Sequence, residues 1–257
     1  MTPYYEDRFV TLYHGDCLDV MPHLGTMEGF DLVFTSPPYN LGGRSNHDLR
    51  SSRPRESKRY VPSELADGYG MCADDLPWID YVHWQKRVLL ACWDLLGDDG
   101  AIFYNHKPIL RDRGARLPTD CLPNVPVRQV VIWDRGSGFN FERSHYCPRL
   151  EWIVVMAKRG WNLRDRGASK ATDYWRIDFE QGTPHPAPFP LALPAKAIET
   201  TGAERVLDPF CGSGTTLLAA KRAGASAVGI EIEERFCEMA AMRLSQDVLP
   251  LFDEAGS

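Results

Sequence analysis

The chain has 257 residues, of which 44% are hydrophobic and 25% charged, and its net charge is −6. These are ordinary values for a globular protein that can bury a large core. The sequence contains no run of about 18 apolar residues, so we expect no membrane-spanning helix. Seven cysteines without a C-x-x-C pair argue against a disulfide framework and a structural zinc site, so we expect no metal. The first residues, MTPYYEDRFVTLYHGD, lack a signal-peptide pattern, so we expect a cytoplasmic protein.

The first half of the chain contains a strand, a long loop and a helix. The apolar run Phe30 to Phe34, stopped by prolines, is typical of a buried parallel strand. Residues 41–75 show no periodic spacing of apolar residues and are predicted to form a mobile loop. Loops of this length in compact domains are usually functional or disordered. Within it, residues 44–59 carry six basic and two acidic side chains. Trp78 to Leu96 has the apolar spacing of a helix.

Strands and helices then alternate. The predicted strands are Ala101–Tyr104, Gln129–Trp133, Trp152–Met156, Arg205–Asp208 and Ser226–Glu231, and the predicted helices are Leu193–Thr200, Thr215–Ala223 and Glu233–Ser245. This alternation predicts a single α/β domain over residues 1–257, a mostly parallel sheet with helices on both faces. A second basic segment, 158–176, again has six basic and two acidic residues. Such segments suit phosphate contacts, although charge runs can also be solvated faces.

A glycine-rich turn lies between a predicted strand and helix, where open α/β sheets bind ligands. Gly212 and Gly214 allow close approach of the backbone, no Lys follows as in a phosphate-binding loop, and the third glycine of a dinucleotide site is missing. Glu231 ends the next strand, where it can bind ribose hydroxyls. S-adenosylmethionine, a nucleoside without phosphate, fits this pattern; a purely structural turn is the alternative. The predicted cofactor contacts here are Asp208, Pro209, Phe210, Cys211, Gly212, Ser213, Gly214, Thr215, Thr216, Glu231 and Ile232.

The second motif, Thr35 to Asn40, reads Thr-Ser-Pro-Pro-Tyr-Asn at the end of the first strand. Two prolines stiffen the backbone and remove two N–H donors, which leaves the Ser36 hydroxyl and the Pro37 carbonyl as acceptors. An exocyclic NH2 on a base offers two donors, and acceptors that pull it towards tetrahedral geometry free its lone pair to attack a methyl sulfonium. The predicted catalytic residues are Ser36, Pro37, Pro38 and Tyr39; a rigid proline turn is the alternative.

The two motifs resemble those of the DNA amino-methyltransferases, which form N6-methyladenine or N4-methylcytosine. Ser36 to Tyr39 matches their [D/N/S]-P-P-[Y/F] motif, and Phe210 to Gly214 matches F-x-G-x-G. The catalytic motif precedes the cofactor motif, as in the beta class, whereas glutamine and many RNA methyltransferases have the opposite order. The resemblance implies a Rossmann-like methyltransferase fold with circularly permuted motifs.

The resemblance also implies roles for further residues. Asp16 and Cys17 would lie at the cofactor adenine, Asp208 at its methionine end, and Thr35 and Phe189 beside it. Trp133 and Asp134, with residues 136–141, would shape the target-base pocket.

Double-stranded DNA is the implied partner, with a flipped target base stacked on Tyr39, and a homodimer is suggested by the family alone. Loop 41–75 would close on DNA, and segment 158–183 would be a short target-recognition region. The predicted DNA contacts are Asn40, Arg44, Arg50, Arg53, Arg55, Lys58, Arg59, Arg164, Arg166 and Lys170.

The choice of base stays open at this point. Serine in the first position of the catalytic motif is more typical of N4-cytosine enzymes, so Ser36 favours cytosine over adenine N6. C5 methylation is disfavoured because no Pro-Cys dipeptide supplies its nucleophile. Three rival classes of protein also stay open: a non-catalytic DNA-binding protein, a methyltransferase of RNA or protein, and a nucleotide-binding oxidoreductase.

Overall fold

The structure, a computed structural model, describes residues 1–25, 29–41, 76–111, 114–138, 143–164, 172–178 and 189–246. Its strands are β1 (Tyr5–Glu6), β2 (Val10–His14), β3 (Phe30–Thr35), β4 (Leu96–His106), β5 (Ile109–Arg111), β6 (Gly114–Arg116), β7 (Val127–Asp134), β8 (Leu150–Ala157), β9 (Tyr174–Arg176), β10 (Arg205–Asp208) and β11 (Ser226–Glu231). Its helices are α1 (Cys17–Val20), α2 (Trp78–Asp94), α3 (Ala192–Thr201), α4 (Thr215–Arg222) and α5 (Glu234–Gln246).

One large sheet organises the described residues, with the strand order β1-β2-β11-β10-β3-β4-β8-β7-β9. The five strands from β2 to β4 in this order are parallel to one another. Strand β8 runs antiparallel to both β4 and β7, and β9 runs parallel to β7. The predicted mostly parallel sheet is therefore confirmed; β8 introduces antiparallel pairing near one end, and the short strand β1 pairs antiparallel with β2 at the other.

Helices cover both faces of the sheet, as predicted, because side chains of the inner strands alternate between two cores. Leu32 and Phe34 of β3 face the core that is completed by α3, α4 and α5. Val33 faces the other core, which contains side chains of α1 and α2. Burial on both sides explains why these strands are continuous apolar runs.

The structure contains five strands that the sequence did not predict, β1, β2, β5, β6 and β9. Strand β4 also begins at Leu96 rather than at the predicted Ala101. Gly29 and Gly97 allow two backbones to meet where β4 begins. A Cβ atom on Gly29 would lie 2.5 Å from the Cα atom of Gly97. Close approach at glycine thus lets β4 pair with the start of β3.

Candidate active site

The two sequence motifs lie side by side because their strands are neighbours. Strands β10 and β3 pair in parallel, with Leu207 opposite Val33, so the turns that follow both strands leave the same edge of the sheet. We call this the catalytic edge. The Thr35 hydroxyl donates to Asp208 Oδ1 at 3.0 Å, which joins the motifs directly. A methyl donor at one turn would therefore face acceptors at the other.

Asp208 is an internal link between the motifs. Its side chain is fully buried, and its carboxylate accepts from the Phe210 amide at 3.1 Å and from the Thr216 hydroxyl at 2.6 Å, in addition to Thr35. Burial raises the pKa of Asp208 to about 6, against the lowering effect of these hydrogen bonds. This environment favours a structural role, and contact with the methionine end of a cofactor stays a prediction.

The glycine-rich turn has the left-handed backbone that its sequence predicts. Gly212 has φ of 51° and Gly214 has φ of 79°. The Gly214 amide donates to the Cys211 carbonyl at 2.8 Å, and a Cβ atom on Gly214 would lie 3.0 Å from that of Ala240 in α5. Helix α4 begins directly afterwards at Thr215. The turn is thus packed tightly between strand and helices.

Glu231 reaches back from the end of β11 to this turn. Its Oε2 atom accepts from the Gly212 amide at 2.9 Å, and its Oε1 atom accepts from the Glu233 amide at 2.8 Å. Burial raises the pKa of Glu231 to about 7, although both backbone bonds act in the opposite direction. A carboxylate has about four acceptor sites, so roughly two remain for ribose hydroxyls.

Asp16, Cys17 and Ile232 flank the same end of the sheet. Strands β2 and β11 pair with His14 opposite Glu231, and the His14 Nε2 atom lies 3.0 Å from the Ile232 carbonyl oxygen. Asp16 is exposed and caps α1 by accepting from the Leu18 amide at 2.8 Å, whereas Cys17 is buried. Asp16 directly follows Gly15, whose amide donates to the Glu231 backbone carbonyl at 2.9 Å.

Two aromatic contacts frame the motifs. Phe189 packs edge-on against Phe34 of β3, with ring centroids 5.5 Å apart. Phe210 packs edge-on against Trp84 of α2 at 5.5 Å. Rings from both faces of the sheet thus surround the ends of β3 and β10.

The catalytic motif is held by a partly buried polar network. The Ser36 and Tyr39 hydroxyl oxygens are 2.8 Å apart, and Tyr39 donates to Glu151 Oε2 at 3.0 Å. Tyr81 of α2 lies with its hydroxyl oxygen 2.7 Å from the Pro38 carbonyl oxygen. Burial raises the pKa of Tyr39 well above its ordinary value, with the Glu151 charge adding to the effect. Tyr39 is therefore a neutral hydrogen-bonding group at any working pH.

One face of the Tyr39 ring already has a neighbour. The His106 ring lies 4.6 Å away, centroid to centroid, and Lys107 Nζ lies 5.4 Å from the Tyr39 centroid. Burial lowers the pKa of His106 to about 4, so this imidazole is neutral. Stacking of a flipped base on Tyr39 stays a prediction.

Asn40 requires a revised interpretation. Its side chain is buried, and its Nδ2 atom donates to the Leu76 carbonyl at 2.8 Å. Its φ of 57° is left-handed, a conformation that Asn tolerates better than most residues. This position does not present Asn40 to a DNA phosphate. We interpret it as an anchor that ties residue 40 to residue 76.

Arg164 also lies away from its predicted place. Because β8 is antiparallel, the residues that follow it lie at the edge of the sheet opposite the catalytic edge. There the Gly160 amide donates to the Asp98 carbonyl at 3.3 Å, and the Arg164 amide donates to the Thr200 carbonyl at 3.0 Å. This position lies away from the catalytic residues and does not support the predicted DNA contact at Arg164, which stays a prediction. Residues 42–75 of the predicted loop lie outside the described residues. So do the other basic residues that were predicted to contact DNA: Arg44, Arg50, Arg53, Arg55, Lys58, Arg59, Arg166 and Lys170.

Sequence reasoning missed Glu151, Asn105 and Arg135. Glu151 is the second residue of β8, and its Oε1 atom pairs with Arg135 at 3.2 Å across from β7. Asn105 reaches the same carboxylate from β4 at 3.3 Å. Beside them, the buried Asp134 carboxylate pairs with Arg149 and Arg176, and its pKa is lowered chiefly by the Arg149 hydrogen bonds. The one available signal was a carboxylate placed directly before an apolar strand.

Within the described part of the chain, no group of three or more His, Cys, Asp or Glu side chains is arranged to hold a metal ion. Nor does this part contain a helix with the length and apolar character needed to cross a membrane.

Comparison with known proteins gives consistent matches. The model of a family described as DNA methylase matches residues 30–242. Type II methyltransferase M.ScaI of Streptomyces caespitosus is 29% identical, with 97% of this chain and 86% of the relative aligned. Type II methyltransferase M2.MboI of Moraxella bovis is 27% identical, over 94% of this chain and 90% of the relative.

Two solved structures share the fold. PvuII DNA methyltransferase, described as cytosine-N4-specific, has a TM-score of 0.71 and 19% identity, covering 99% of this chain and 90% of that one. A Thermus thermophilus protein complexed with S-adenosyl-L-methionine has a TM-score of 0.61 and 23% identity, covering 94% of this chain and 95% of that one. At these identities the likeness establishes the architecture.

Proposed function

Because the chain belongs to the N6/N4 DNA methylase family, we propose that it transfers a methyl group from S-adenosylmethionine to N4 of a cytosine flipped out of duplex DNA. Family membership confirms the predicted class of DNA amino-methyltransferase, and the sheet confirms the predicted fold. The observation that carries the proposal is the direct Thr35–Asp208 contact, which joins the acceptor motif to the glycine-rich turn.

The glycine-rich turn suits the cofactor in its chemistry. S-adenosylmethionine supplies an electrophilic methyl group on a sulfonium. Glu231 lies at the end of a strand with spare acceptor sites, as ribose recognition requires, and Gly212 and Gly214 have no side chains that would block a close approach to their backbone. We assign ribose binding to Glu231 and the adenine end to the region of Asp16.

The acceptor motif suits the amine. The Pro37 carbonyl cannot donate, and the prolines remove the N–H groups that would compete with a base. Ser36 Oγ lies in a network that is already satisfied on its inner side by Tyr39. These groups would hold the NH2 with its lone pair directed at the methyl group, without a covalent intermediate.

Cytosine is proposed rather than adenine because Ser36 occupies the first position of the motif. Adenine N6 is the second candidate, since its N–C–NH2 edge presents the same donors to the same acceptors. The network around Ser36 does not distinguish the two rings.

The test is mass spectrometry of nucleosides from plasmid DNA of cells that make the protein, with Ser36→Ala as the matched control. We expect N4-methylcytosine in the wild-type sample alone. N6-methyladenine instead would assign adenine. Absence of both, combined with methylation of RNA by labelled cofactor, would contradict the proposed function.

A further inference from the structure

Glu151 belongs to neither sequence motif, yet its carboxylate lies one hydrogen bond from Tyr39 and two from Ser36. We propose that Glu151 is a positioning residue that fixes the direction of these hydrogen bonds and receives, through Tyr39 and Ser36, the proton that the amine releases. The inference rests on the proposed amino-methylation and assigns a destination to its proton.

The hydrogen-bond direction follows from counting protons around Tyr39. Its hydroxyl has one proton and, among the residues that the structure describes, three polar neighbours: Ser36 at 2.8 Å, Glu151 Oε2 at 3.0 Å and Asn105 Oδ1 at 3.3 Å. An ionised carboxylate can only accept. The Tyr39 proton is therefore directed towards Glu151, and the charge strengthens that bond.

The orientation of the Asn105 amide supports this direction. Its Nδ2 atom lies 3.3 Å from Glu151 Oε2 and 3.4 Å from the Trp152 carbonyl oxygen, and both of these atoms accept. The Asn105 Oδ1 atom must then face Tyr39, and it too can only accept. Tyr39 consequently has no proton to give to Ser36, and Ser36 must donate to Tyr39.

This direction decides what Ser36 offers to a base. A hydroxyl has one proton and two acceptor sites. With its proton directed at Tyr39, Ser36 Oγ can present only lone pairs to the incoming NH2. The reversed direction would point the Ser36 proton at an amine N–H and remove the acceptor. Glu151 thus makes Ser36 an acceptor from two hydrogen bonds away.

The same path can carry the released proton with all bonds balanced. As the nitrogen–carbon bond forms and the carbon–sulfur bond breaks, the amine nitrogen gains positive charge. It gives a proton to Ser36 Oγ, Ser36 passes its own proton to Tyr39, and Tyr39 passes its own to Glu151 Oε2. One proton leaves the amine and one neutralises the carboxylate. Arg135, whose side chain is 22% exposed, pairs with the other oxygen, Oε1, of the same carboxylate.

The test compares single-turnover methylation rates of Glu151→Gln and the wild type. Arg135 would take the glutamine oxygen, so the glutamine NH2 would face Tyr39 and reverse the hydrogen bonds. We expect the rate to fall on the order of 100-fold, as for loss of an aligned electrostatic group. Cofactor affinity by calorimetry should stay within about twofold of wild type, because Glu151 does not touch the glycine-rich turn.

A double-mutant cycle separates positioning from simple structural damage. Tyr39→Phe breaks the path while keeping the ring, so adding Glu151→Gln to it should change the rate less than about twofold. Glu151→Asp keeps a carboxylate and should recover part of the rate. If Glu151→Gln does not fold, Glu151→Asp in both backgrounds provides the same cycle.

Asp7→Asn is the matched control, because Asp7 is also a partly buried carboxylate in an ion pair, with Lys221 at 2.7 Å, but lies in the β1–β2 turn. It should lower the melting temperature without changing the rate. Full additivity of the Glu151 and Tyr39 changes, or an unchanged rate in Glu151→Gln, would overturn the inference. A wild-type protein that methylates no base would instead refute the proposed function.

Discussion

The parallel part of the sheet, from β2 to β4, and the antiparallel part, from β8 to β9, contribute differently to the catalytic edge. In the parallel part, functional groups come from turns that follow strands, as with Ser36 after β3 and Gly212 after β10. In the antiparallel part, β8 enters from this edge, so Glu151 precedes its apolar run. The direction of a strand therefore decides whether its functional residues at the catalytic edge follow its apolar run or precede it.

The largest effect on methyl transfer is expected from substitutions in the parallel part. Ser36→Ala removes an acceptor for the amine, and Tyr39→Ala removes both the ring and the hydroxyl that binds Ser36. Each should reduce methyl transfer by at least about 100-fold, while leaving cofactor affinity nearly unchanged. Labelled-methyl transfer and calorimetry measure the two quantities. Undiminished turnover in either variant would remove that residue from the site.

A smaller effect is expected at the other turn of the parallel part. Glu231→Ala removes the carboxylate that we assign to the ribose, and should weaken cofactor binding by about 1–3 kcal/mol. Glu234→Ala, which removes a carboxylate in the first turn of α5, is the control and should bind normally. Equal affinities in all three proteins would exclude Glu231 from the cofactor site.

The pH dependence of binding sharpens the same assignment. Ribose hydroxyls donate to ionised Glu231, whose pKa of about 7 lies above its ordinary value of 4.5. Cofactor affinity should therefore rise up to about pH 7 and then level off, changing by up to about tenfold per pH unit below this value. Calorimetry from about pH 5.5 to about pH 8 measures this dependence. A Glu231→Gln protein with the same profile would contradict the assignment.

The same shift has the opposite sign for the stability of the cofactor-free protein. A raised pKa means that the folded state holds the proton more tightly than the unfolded state. The stabilisation is complete below pH 4.5 and is lost as the pH rises through about 7. Asp208 acts likewise between 3.8 and about 6. Thermal unfolding should therefore show that the contribution of these two groups to stability decreases as the pH rises through this range.

The smallest expected effect concerns the antiparallel part. Arg164 lies beyond the end of β8, at the edge opposite the catalytic residues. Arg164→Ala should change DNA affinity by less than about twofold, since only phosphate contacts contribute to the electrostatic term. Binding titrations at fixed salt measure this. A loss of about tenfold with an unchanged melting temperature would place DNA at the opposite edge.

Local chemistry made much of the parallel part predictable. Prolines after Phe34 and glycines after Asp208 mark where buried strands stop, and parallel strands end at one edge. The direction of β8 was not predictable, because an apolar run of β-branched residues looks the same in either orientation. That ambiguity hid on which side of the sheet Arg164 lies, and it also hid Glu151. The partners of Asn40 and Asp208 were equally hidden, since they come from residues distant in sequence.

The bond from the Asn40 amide to the Leu76 carbonyl has a consequence for evolution and engineering. It closes the chain at the two ends of the stretch between them, independently of what that stretch contains. In general, the entropic cost of closing a loop rises by only about 0.6 kcal/mol for each doubling of its length. We therefore expect that segments of very different lengths can be joined between Asn40 and Leu76 while the sheet beneath keeps its register.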